Sequence, residues 1–320
     1  MQRKTIEKII RKKLGEWLES ISKENPELAK DVKANILLSG GSIVSMFLQK
    51  DVNDYDIYIK DVNVLRELAH HYIKKYPDRI RIFDGRYKEE LESNIPDYYD
   101  ENDIISKDAN KSAYACAVRN LRPDQMKLFF ADRDNGANIN KRLKMDNKGN
   151  KDKYHVIFYS PNAISLSDKI QIVLRFHGDS KAIHETFDFI HATNYFTYEE
   201  GLVTNVAALE SILTKQLRYQ GSFYPLTSII RMKKFIERGW SISAGEILKI
   251  MYQISVLNLN DPDVLEEQLI GVDIAYFSVI IDLLRGRDES QGMTSGYLNE
   301  LIDKVFNAVP DEDEESGKDD

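Results

Sequence analysis

Two short motifs near the N-terminus combine residue types that can hold a phosphate and a metal ion. The first motif, Ser39-Gly40-Gly41-Ser42, follows the apolar run at residues 36–38. Glycines let the backbone approach a ligand closely, and the first turn of a following helix presents free N–H groups to an anion. A tight strand-to-helix turn with Ser42 as N-cap explains the same residues without a ligand. This motif alone leaves both interpretations open.

The second motif places two carboxylates, Asp54 and Asp56, in an alternating run at residues 54–59 that predicts a strand. Positions i and i+2 of a strand share one face, so we expect the two acids side by side, with Tyr55 and Ile57 pointing into the core. Like charges at this spacing are unfavourable unless a cation lies between them. Mg²⁺ takes carboxylate and phosphate oxygens as ligands. A solvated acidic strand edge is the alternative, which the flanking apolar residues disfavour.

The two motifs together resemble the signature of the DNA polymerase β-like nucleotidyltransferase superfamily. In that signature Gly-Gly/Ser is followed by Asp-hydrophobic-Asp/Glu, and here Asp54 comes twelve positions after Ser42. The resemblance covers residues 36–59 directly, and the order of elements fits it to about residue 235. It implies an α+β fold in which a mixed sheet is flanked by helices and followed by an all-helical domain. It also implies transfer of a nucleoside or deoxynucleoside monophosphate from an NTP or dNTP to a hydroxyl.

The resemblance carries roles onto individual residues. It implies that Asp54 and Asp56 bind two Mg²⁺ (or Mn²⁺) ions, and that Gly40, Gly41 and Ser42 hold the nucleotide phosphates. A third catalytic and metal-binding carboxylate is expected on a later strand beside the Asp-x-Asp strand. Asp188, between two phenylalanines in a strand predicted at 186–190, is the preferred candidate. A solvent-facing Asp188 is the alternative, and the rivals Asp168 and Asp179 fall in predicted loops.

Basic side chains are concentrated in the predicted helical half, at residues 215–238. In nucleotidyltransferases of this superfamily a helical domain closes over the nucleotide, where basic groups hold the triphosphate and an aromatic ring stacks on the base. The candidates for nucleotide binding, chosen by charge alone, are Lys215, Arg218, Arg231 and Lys234, with Tyr219, Phe223 and Tyr224 interleaved. A solvated helix face is the alternative interpretation of each.

The periodicity divides the chain into a mixed α/β half and a helical half. Residues 1–198 form the predicted catalytic domain, with a weakly patterned insertion at about 78–153. Residues 199–308 form the predicted helical domain for nucleotide and substrate binding. Residues 309–320 form a predicted disordered acidic tail, because like charges repel and little can be buried. The predicted helices of the second half span 203–219, 228–238, 244–255, 264–269 and 274–284.

Composition narrows the class of protein. The formal net charge is −8, of which −6 belongs to Asp311–Asp320, so the remaining chain carries −2 and offers no broad nucleic-acid-coating surface. One cysteine, Cys116, excludes an intramolecular disulfide and a thiol zinc cluster, and the six histidines lack zinc-protease spacing. No signal peptide or bilayer-spanning run is visible, so we expect a cytoplasmic protein without membrane insertion.

The acceptor of the nucleotide is not encoded in these motifs. The chain resembles bacterial or phage-conflict nucleotidyltransferases, among them the Hailong-type antiphage enzymes. That resemblance implies an oligonucleotide signal in antiphage defence and an effector protein as partner. A toxin-type enzyme that modifies tRNA or protein is an alternative, and so is a non-catalytic nucleotide-binding regulatory protein that keeps the fold.

Overall fold

The computed structural model describes residues 2–76, 153–159 and 162–259, the backbone of two strands at 116–122 and 125–130, and four single positions at 261, 264, 268 and 296. Within these ranges the helices are α1 Arg3–Ser22, α2 Pro26–Asn35, α3 Gly41–Leu48, α4 Val62–Lys75, α5 Ser180–His184, α6 Val206–Thr214, α7 Pro225–Glu237 and α8 Ala244–Ser255. The strands are β1 Ile36–Ser39, β2 Tyr55–Ile59, β3 Cys116–Arg122, β4 Gln125–Phe130, β5 Val156–Tyr159, β6 Ala163–Leu166, β7 Ile170–Val173, β8 Tyr195–Thr197, β9 Gly201–Val203, β10 Gln216–Leu217 and β11 Ser241–Ile242.

The central element is a mixed sheet with the strand order β5-β6-β7-β2-β1-β8-β9. Strands β2 and β7 pair in parallel, and the other neighbours in this sheet pair antiparallel. The parallel pair sets Asp56 in register with Gln171, and the antiparallel pair β6–β7 sets Gln171 in register with Ser165. Strands β3 and β4 form a separate antiparallel hairpin.

One face of this sheet packs against α1, α2 and α4 and carries the main core. Helix α1 presents apolar residues at helical spacing, so one stripe is buried against the sheet. Tyr55 and Ile57 of β2 belong to this core, as do Ile170 and Ile172 of β7. The orientation predicted for Tyr55 and Ile57 is therefore confirmed. The residues between them on each strand point to the opposite face because side chains alternate along a strand.

Hydrogen bonds between buried aromatic residues tie the helical layer together. The Trp17 indole Nε1 donates to the Tyr72 hydroxyl at 2.7 Å, which joins α1 to α4. The Tyr159 hydroxyl donates to the Tyr72 carbonyl at 2.8 Å, which joins β5 to the same helix. Burial raises the pKa of the Tyr72 phenol far above its ordinary value. These contacts satisfy polar atoms inside the core, where an unpaired group would be costly.

The opposite face of the sheet is divided into an apolar and a polar part. Near the N-terminal end of β1 this face is apolar, because Leu37 and Tyr58 pack with Ile183 of α5 and with Phe187. Near the C-terminal end of β1 this face is polar. Asp56 is half-buried and is in register with Gln171, which is in register with Ser165. Ser39 lies opposite Asp56 when the β1–β2 register is continued by one residue. We call these four residues, Ser39, Asp56, Gln171 and Ser165, the polar row.

The α+β class predicted from the sequence is confirmed, as is the order of β1, α3 and β2. The strand predicted at 186–190 is wrong: that segment follows α5, makes one isolated β-bridge from Phe189 to Tyr219, and continues into a 3₁₀ turn at Ile190–Ala192. The helix predicted at 203–219 is shorter, because β9 precedes it and β10 follows it. The helices predicted at 264–269 and 274–284 and the acidic tail lie outside the continuously described ranges.

The described residues divide into two compact units. The first ends at Gln220 and contains the mixed sheet with α1–α6, and the second begins at Gly221 and contains α7, β11 and α8. The sequence places the boundary earlier, near 198–202, because helical periodicity begins at α6, which belongs to the first unit. A β11 strand lies within the half that the sequence predicts to be all helical. Across the described ranges we find no helix both long and apolar enough to cross a bilayer.

Candidate active site

The turn between β1 and α3 depends on the backbone freedom of Gly40. Its φ is 93° and its ψ is −151°, a region that is essentially restricted to glycine. The Gly40 N–H donates to the Ala192 carbonyl at 3.1 Å, which fixes the turn against the 3₁₀ segment. Gly41 then begins α3, and a side chain built on Gly41 would meet no atom within 4 Å. There is therefore free space beside Gly41, whereas the backbone of Gly40 packs against the 3₁₀ segment.

Ser42 lies in the first turn of α3 with a hydroxyl that no described group uses. The residue is 2% exposed, and its Oγ has no hydrogen-bond partner. The N-cap position of α3 is Gly40, without a side-chain cap, so the alternative in which Ser42 caps the helix does not apply. A buried hydroxyl left unsatisfied costs about 1–3 kcal/mol. The start of α3 therefore offers first-turn N–H donors and a buried hydroxyl, which are groups that can bind an anion.

The glycine turn lies directly against the carboxylate of Asp56. A Cβ on Gly40 would stand 3.2 Å from Asp56 Oδ2, which is closer than an ordinary van der Waals contact. The two sequence motifs therefore meet in space, although they are separated along the chain by α3 and the loop after it. The sequence predicts this meeting only through the resemblance, because the pairing of β1 with β2 is a tertiary feature. A phosphate seated at the helix start would lie close to a carboxylate.

Asp54 precedes the first residue of β2 and is exposed, whereas Asp56 is half-buried within the strand. Two hydrogen bonds with Lys169, the residue before β7, hold the backbone around Asp54. Lys169 donates from Nζ to the Val52 carbonyl at 2.7 Å, and its own carbonyl accepts from the Tyr55 N–H at 2.8 Å. The loop that carries Asp54 is thereby fixed on both sides. The strand predicted at 54–59 therefore begins one residue later, and the side-by-side placement of the two carboxylates stays a prediction.

Ser39 anchors the turn from behind through a buried hydrogen-bond cluster. Its Oγ lies 3.0 Å from His184 Nε2 and 2.9 Å from the Asn194 carbonyl. Burial lowers the pKa of His184 to about 4, so the imidazole is neutral at pH 7. With Nε2–H donating to Ser39 Oγ and the serine hydroxyl donating to Asn194, each hydrogen of the cluster has an acceptor. No pattern in the sequence predicts this contact between His184 and Ser39.

Gln171 is the neighbour of Asp56 that sequence analysis missed. Its Nε2 donates to Asp56 Oδ1 at 3.2 Å, and its Oε1 accepts from the Ser165 hydroxyl at 3.4 Å. The sequence contains one indication, a polar residue between two β-branched apolar residues, Ile170 and Ile172. It contains no indication that β7 pairs with β2 in the register that brings Gln171 to Asp56.

The side chains at this end of the sheet suit a divalent cation with a phosphate. An anion at the start of α3 and the Asp56 carboxylate would repel each other unless a cation lay between them. The hard oxygen ligands present, Asp54, Asp56 and the hydroxyl of Ser42, are those that Mg²⁺ and Mn²⁺ accept together with substrate phosphates. Among the described residues, no three His, Cys, Asp or Glu side chains form a group that could hold a metal ion by themselves.

A family model described as "Gabija anti-defense 2 family protein" matches residues 8–215, which include the whole of this site. The chain belongs to the Gabija anti-defense 2 family. A curated relative, "Gabija anti-defense 2" from Bacillus phage SPbetaL7, is 21% identical over 290 residues, which cover 90% of this chain and 52% of the relative. The chain therefore spans about half the length of that relative.

Solved structures with some similarity to this family member are tRNA-processing enzymes. One described as "Structure of tRNA-processing enzyme with CTP" has a TM-score of 0.35 and 12% identity, over 89% of this chain and 57% of that chain. The Thermotoga maritima CCA-adding enzyme complexed with tRNA has a TM-score of 0.35 and 14% identity, over 92% of this chain and 57% of that chain. These likenesses are weak, and the family membership does not depend on them.

Asp188 of this Gabija anti-defense 2 family member is buried but does not lie on a strand beside β2. It is 7% exposed, in the segment between α5 and the 3₁₀ turn, and its carbonyl accepts from the Gln220 N–H at 2.9 Å. The predicted solvent-facing alternative is therefore wrong, and so is the predicted strand. Its role as third metal ligand stays a prediction. Asp168 accepts a hydrogen bond from the Ser167 hydroxyl in the β6–β7 turn, and Asp179 caps α5.

The four predicted basic residues are divided between the two units. Lys215 is exposed at the end of α6, and Arg218 forms an ion pair with Glu210 at 3.0 Å, both in the first unit. Arg231 and Lys234 are half-buried on α7 in the second unit. Binding of nucleotide by any of the four stays a prediction.

Proposed function

We propose that this Gabija anti-defense 2 family member is a metal-dependent nucleotidyltransferase. The observation that carries the proposal is the close approach of the Gly40 turn to Asp56, at the start of the helix whose first turn contains the buried, unsatisfied hydroxyl of Ser42. A turn that could hold a phosphate and a carboxylate that could bind a metal ion meet there, although α3 and the loop after it separate them in the sequence. A purely structural turn would gain nothing from leaving the Ser42 hydroxyl buried and unsatisfied.

In the proposed reaction the oxygen of an acceptor hydroxyl forms a bond to the α-phosphorus of an NTP or dNTP. The bond from that phosphorus to the bridging oxygen of the β-phosphate breaks, pyrophosphate leaves, and the hydroxyl proton passes to solvent. Bound Mg²⁺ or Mn²⁺ would neutralise charge on the phosphates and lower the pKa of the acceptor hydroxyl. Asp54 and Asp56 would bind the two ions, and Gly41 and Ser42 would hold the β- and γ-phosphates. Catalysis would consist mainly of positioning and charge neutralisation.

The biological target that we propose follows the family's description. The sequence resemblance to Hailong-type enzymes implies synthesis of an antiphage signal with an effector partner. The family description and the phage relative name an anti-defence role instead. We therefore propose that nucleotidyl transfer by this chain counteracts the Gabija defence named there. The acceptor would be a component of that defence or a nucleic acid on which it depends.

The direct test is incubation of the purified protein with α-labelled NTPs or dNTPs, Mg²⁺ or Mn²⁺, and separate acceptors. The acceptors are tRNA, total RNA, an oligonucleotide and the proteins of the Gabija system. Wild type is expected to transfer label to one of them, and the double variant Asp54→Ala/Asp56→Ala to lose at least a thousandfold in rate. The matched control is Asp31→Ala/Asp51→Ala, which removes two exposed acids near the site in sequence. Equal labelling by the two double variants would refute the proposal.

Three competing functions predict different products in the same experiment. An oligonucleotide synthase forms labelled short products from nucleotides alone, whereas a toxin-type enzyme labels tRNA or protein. A non-catalytic nucleotide-binding protein gives calorimetric nucleotide binding that requires Asp54 and Asp56, with no labelled product on any acceptor. Mass spectrometry of the reaction mixture, with and without tRNA, separates all three.

A further inference from the structure

The strand that flanks Asp56 on the side away from β1 is β7, and it contributes an amide in place of an acid. The superfamily resemblance places a third carboxylate on a strand beside the Asp-x-Asp strand. In this chain the residue of β7 in register with Asp56 is Gln171. No residue of β7, Ile170 to Val173, is acidic. Residues paired in register lie on the same face, so Gln171 occupies that position beside Asp56.

The orientation of the Gln171 amide is fixed at both ends. The Ser165 hydroxyl donates to Oε1 at 3.4 Å, which directs the amide nitrogen towards Asp56 Oδ1 at 3.2 Å. Since Oδ1 accepts this bond, rotation of the carboxylate is restricted, and Oδ2 is held on the side of Gly40. Three residues of the polar row, Ser165, Gln171 and Asp56, therefore form a continuous line of hydrogen bonds from β6 through β7 to β2.

We propose that Gln171 is a positioning residue for Asp56, and that the metal ions of this site are bound by Asp54, Asp56 and the phosphates of the incoming nucleotide, with no acidic ligand from β7. The inference rests on the proposed function, because it concerns the same site. A carboxylate at position 171 would add charge and bind a metal without nucleotide. An amide adds no charge, so the triphosphate must supply the remaining ligands, a binding mode that Mg²⁺ commonly uses. The substrate then enters as the metal–nucleotide complex, and metal does not bind first.

The experiment measures Mn²⁺ affinity from the free-ion paramagnetic resonance signal, with and without a non-hydrolysable triphosphate analogue. Wild type is expected to bind Mn²⁺ at least tenfold more tightly when the analogue is present. Gln171→Met keeps the side-chain length and removes the amide, so Mn²⁺ affinity with the analogue is expected to fall about tenfold. Ser165→Ala is also expected to lower the Mn²⁺ affinity, but by a smaller factor. Gln216→Met, at an exposed position, is the matched control and is expected to match wild type.

Gln171→Glu is the second variant, because it distinguishes a direct effect of residue 171 on metal binding from a loss of the fold. It places a carboxylate beside Asp56, so Mn²⁺ is expected to bind without the analogue and more tightly than to Gln171→Met. Denaturant unfolding of each variant identifies any loss of affinity that is due to loss of fold. A merely structural role for Gln171 predicts that Met and Glu at this position weaken binding equally, and that result would overturn the inference.

The outcomes also separate this inference from the proposed function. Mn²⁺ binding that is lost in Asp54→Ala/Asp56→Ala but unchanged in Gln171→Met overturns the inference alone. Tight Mn²⁺ binding by wild type without nucleotide overturns it as well. Mn²⁺ binding that is unchanged in Asp54→Ala/Asp56→Ala, or absent from wild type under all conditions, overturns both proposals.

Discussion

The two faces of the central sheet use the same strands for different purposes. On β2, Tyr55 and Ile57 pack into the core beneath α1, α2 and α4, while Asp56 between them faces the glycine turn. On β7, Ile170 and Ile172 belong to the same core, while Gln171 contacts Asp56. One face therefore stabilises the fold through buried apolar side chains. The other face carries polar side chains, whose positions depend on the stability that the first face provides. Variants on the two faces should therefore separate stability from ligand binding.

The largest expected effect on stability is at Ile57. This side chain is fully buried on the core face, so Ile57→Ala should lower the free energy of unfolding by about 2–5 kcal/mol through lost burial and a residual cavity. Asp56→Asn, one position away on the opposite face, should change it by less than about 1 kcal/mol. Urea unfolding at pH 7 measures both. Comparable losses in the two variants would contradict a division of labour between the faces.

The two adjacent glycines should differ in the same way. Gly40→Ala forces a side chain into a glycine-only conformation and against Asp56 Oδ2, so we expect about 1–3 kcal/mol of destabilisation. Gly41→Ala faces open space at the first residue of α3 and should leave stability unchanged or slightly increased. It should still weaken binding of a triphosphate analogue at least tenfold, because its methyl group fills the space for the phosphate. Thermal unfolding with and without the analogue tests the pair, and tight binding to Gly41→Ala would remove this glycine from the site.

The histidines behind the glycine turn should make stability depend on pH. Burial lowers the pKa of both His184 and His191 to about 4, although Asp188 opposes the shift for His191. Their folded-state pKa lies below the ordinary unfolded value of about 6.5. The stability that these groups contribute is therefore fully present above about pH 6.5 and is lost as the pH falls towards 4, by roughly 3 kcal/mol for the buried His191 and by less for the half-buried His184, which solvent screens.

The double variant His184→Gln/His191→Gln provides the comparison for that pH dependence. It should lower stability at pH 7 and flatten the decline between pH 7 and pH 5. Melting temperatures of wild type and of the double variant, recorded between pH 7 and pH 5, measure this decline. A decline as steep as that of wild type would assign the pH dependence to other groups.

The smallest expected effect is at Ser42, where stability and binding should change in opposite directions. Removing a buried, unsatisfied hydroxyl should leave the free protein equally stable or more stable by about 1 kcal/mol. The same change removes a donor for the phosphate, so Ser42→Ala should bind the triphosphate analogue several-fold more weakly. Urea unfolding and calorimetric titration give the two values. A loss of stability without loss of binding would make Ser42 a structural residue.

The sequence predicts the elements of this site better than it predicts their neighbours. The positions of β1, α3 and β2, and the orientation of Tyr55 and Ile57, follow from local periodicity and from turn chemistry at Gly40. The contact of Gln171 with Asp56 depends on the parallel pairing of β2 with β7, which are separated by more than a hundred residues. Local pattern carries no information about that pairing. The strand predicted around Asp188 is wrong for a related reason, because alternating aromatic residues also occur in a buried irregular segment.

A crystal grown with Mn²⁺ and a non-hydrolysable triphosphate would show whether the Gly40 turn and Asp56 form one nucleotide–metal site. Anomalous scattering locates manganese independently of how the chain is built. We expect a manganese peak bound by Asp54, Asp56 and a phosphate oxygen, with the triphosphate at the first turn of α3 beside Gly41 and Ser42. Nucleotide bound elsewhere, or manganese remote from Asp56, would contradict it.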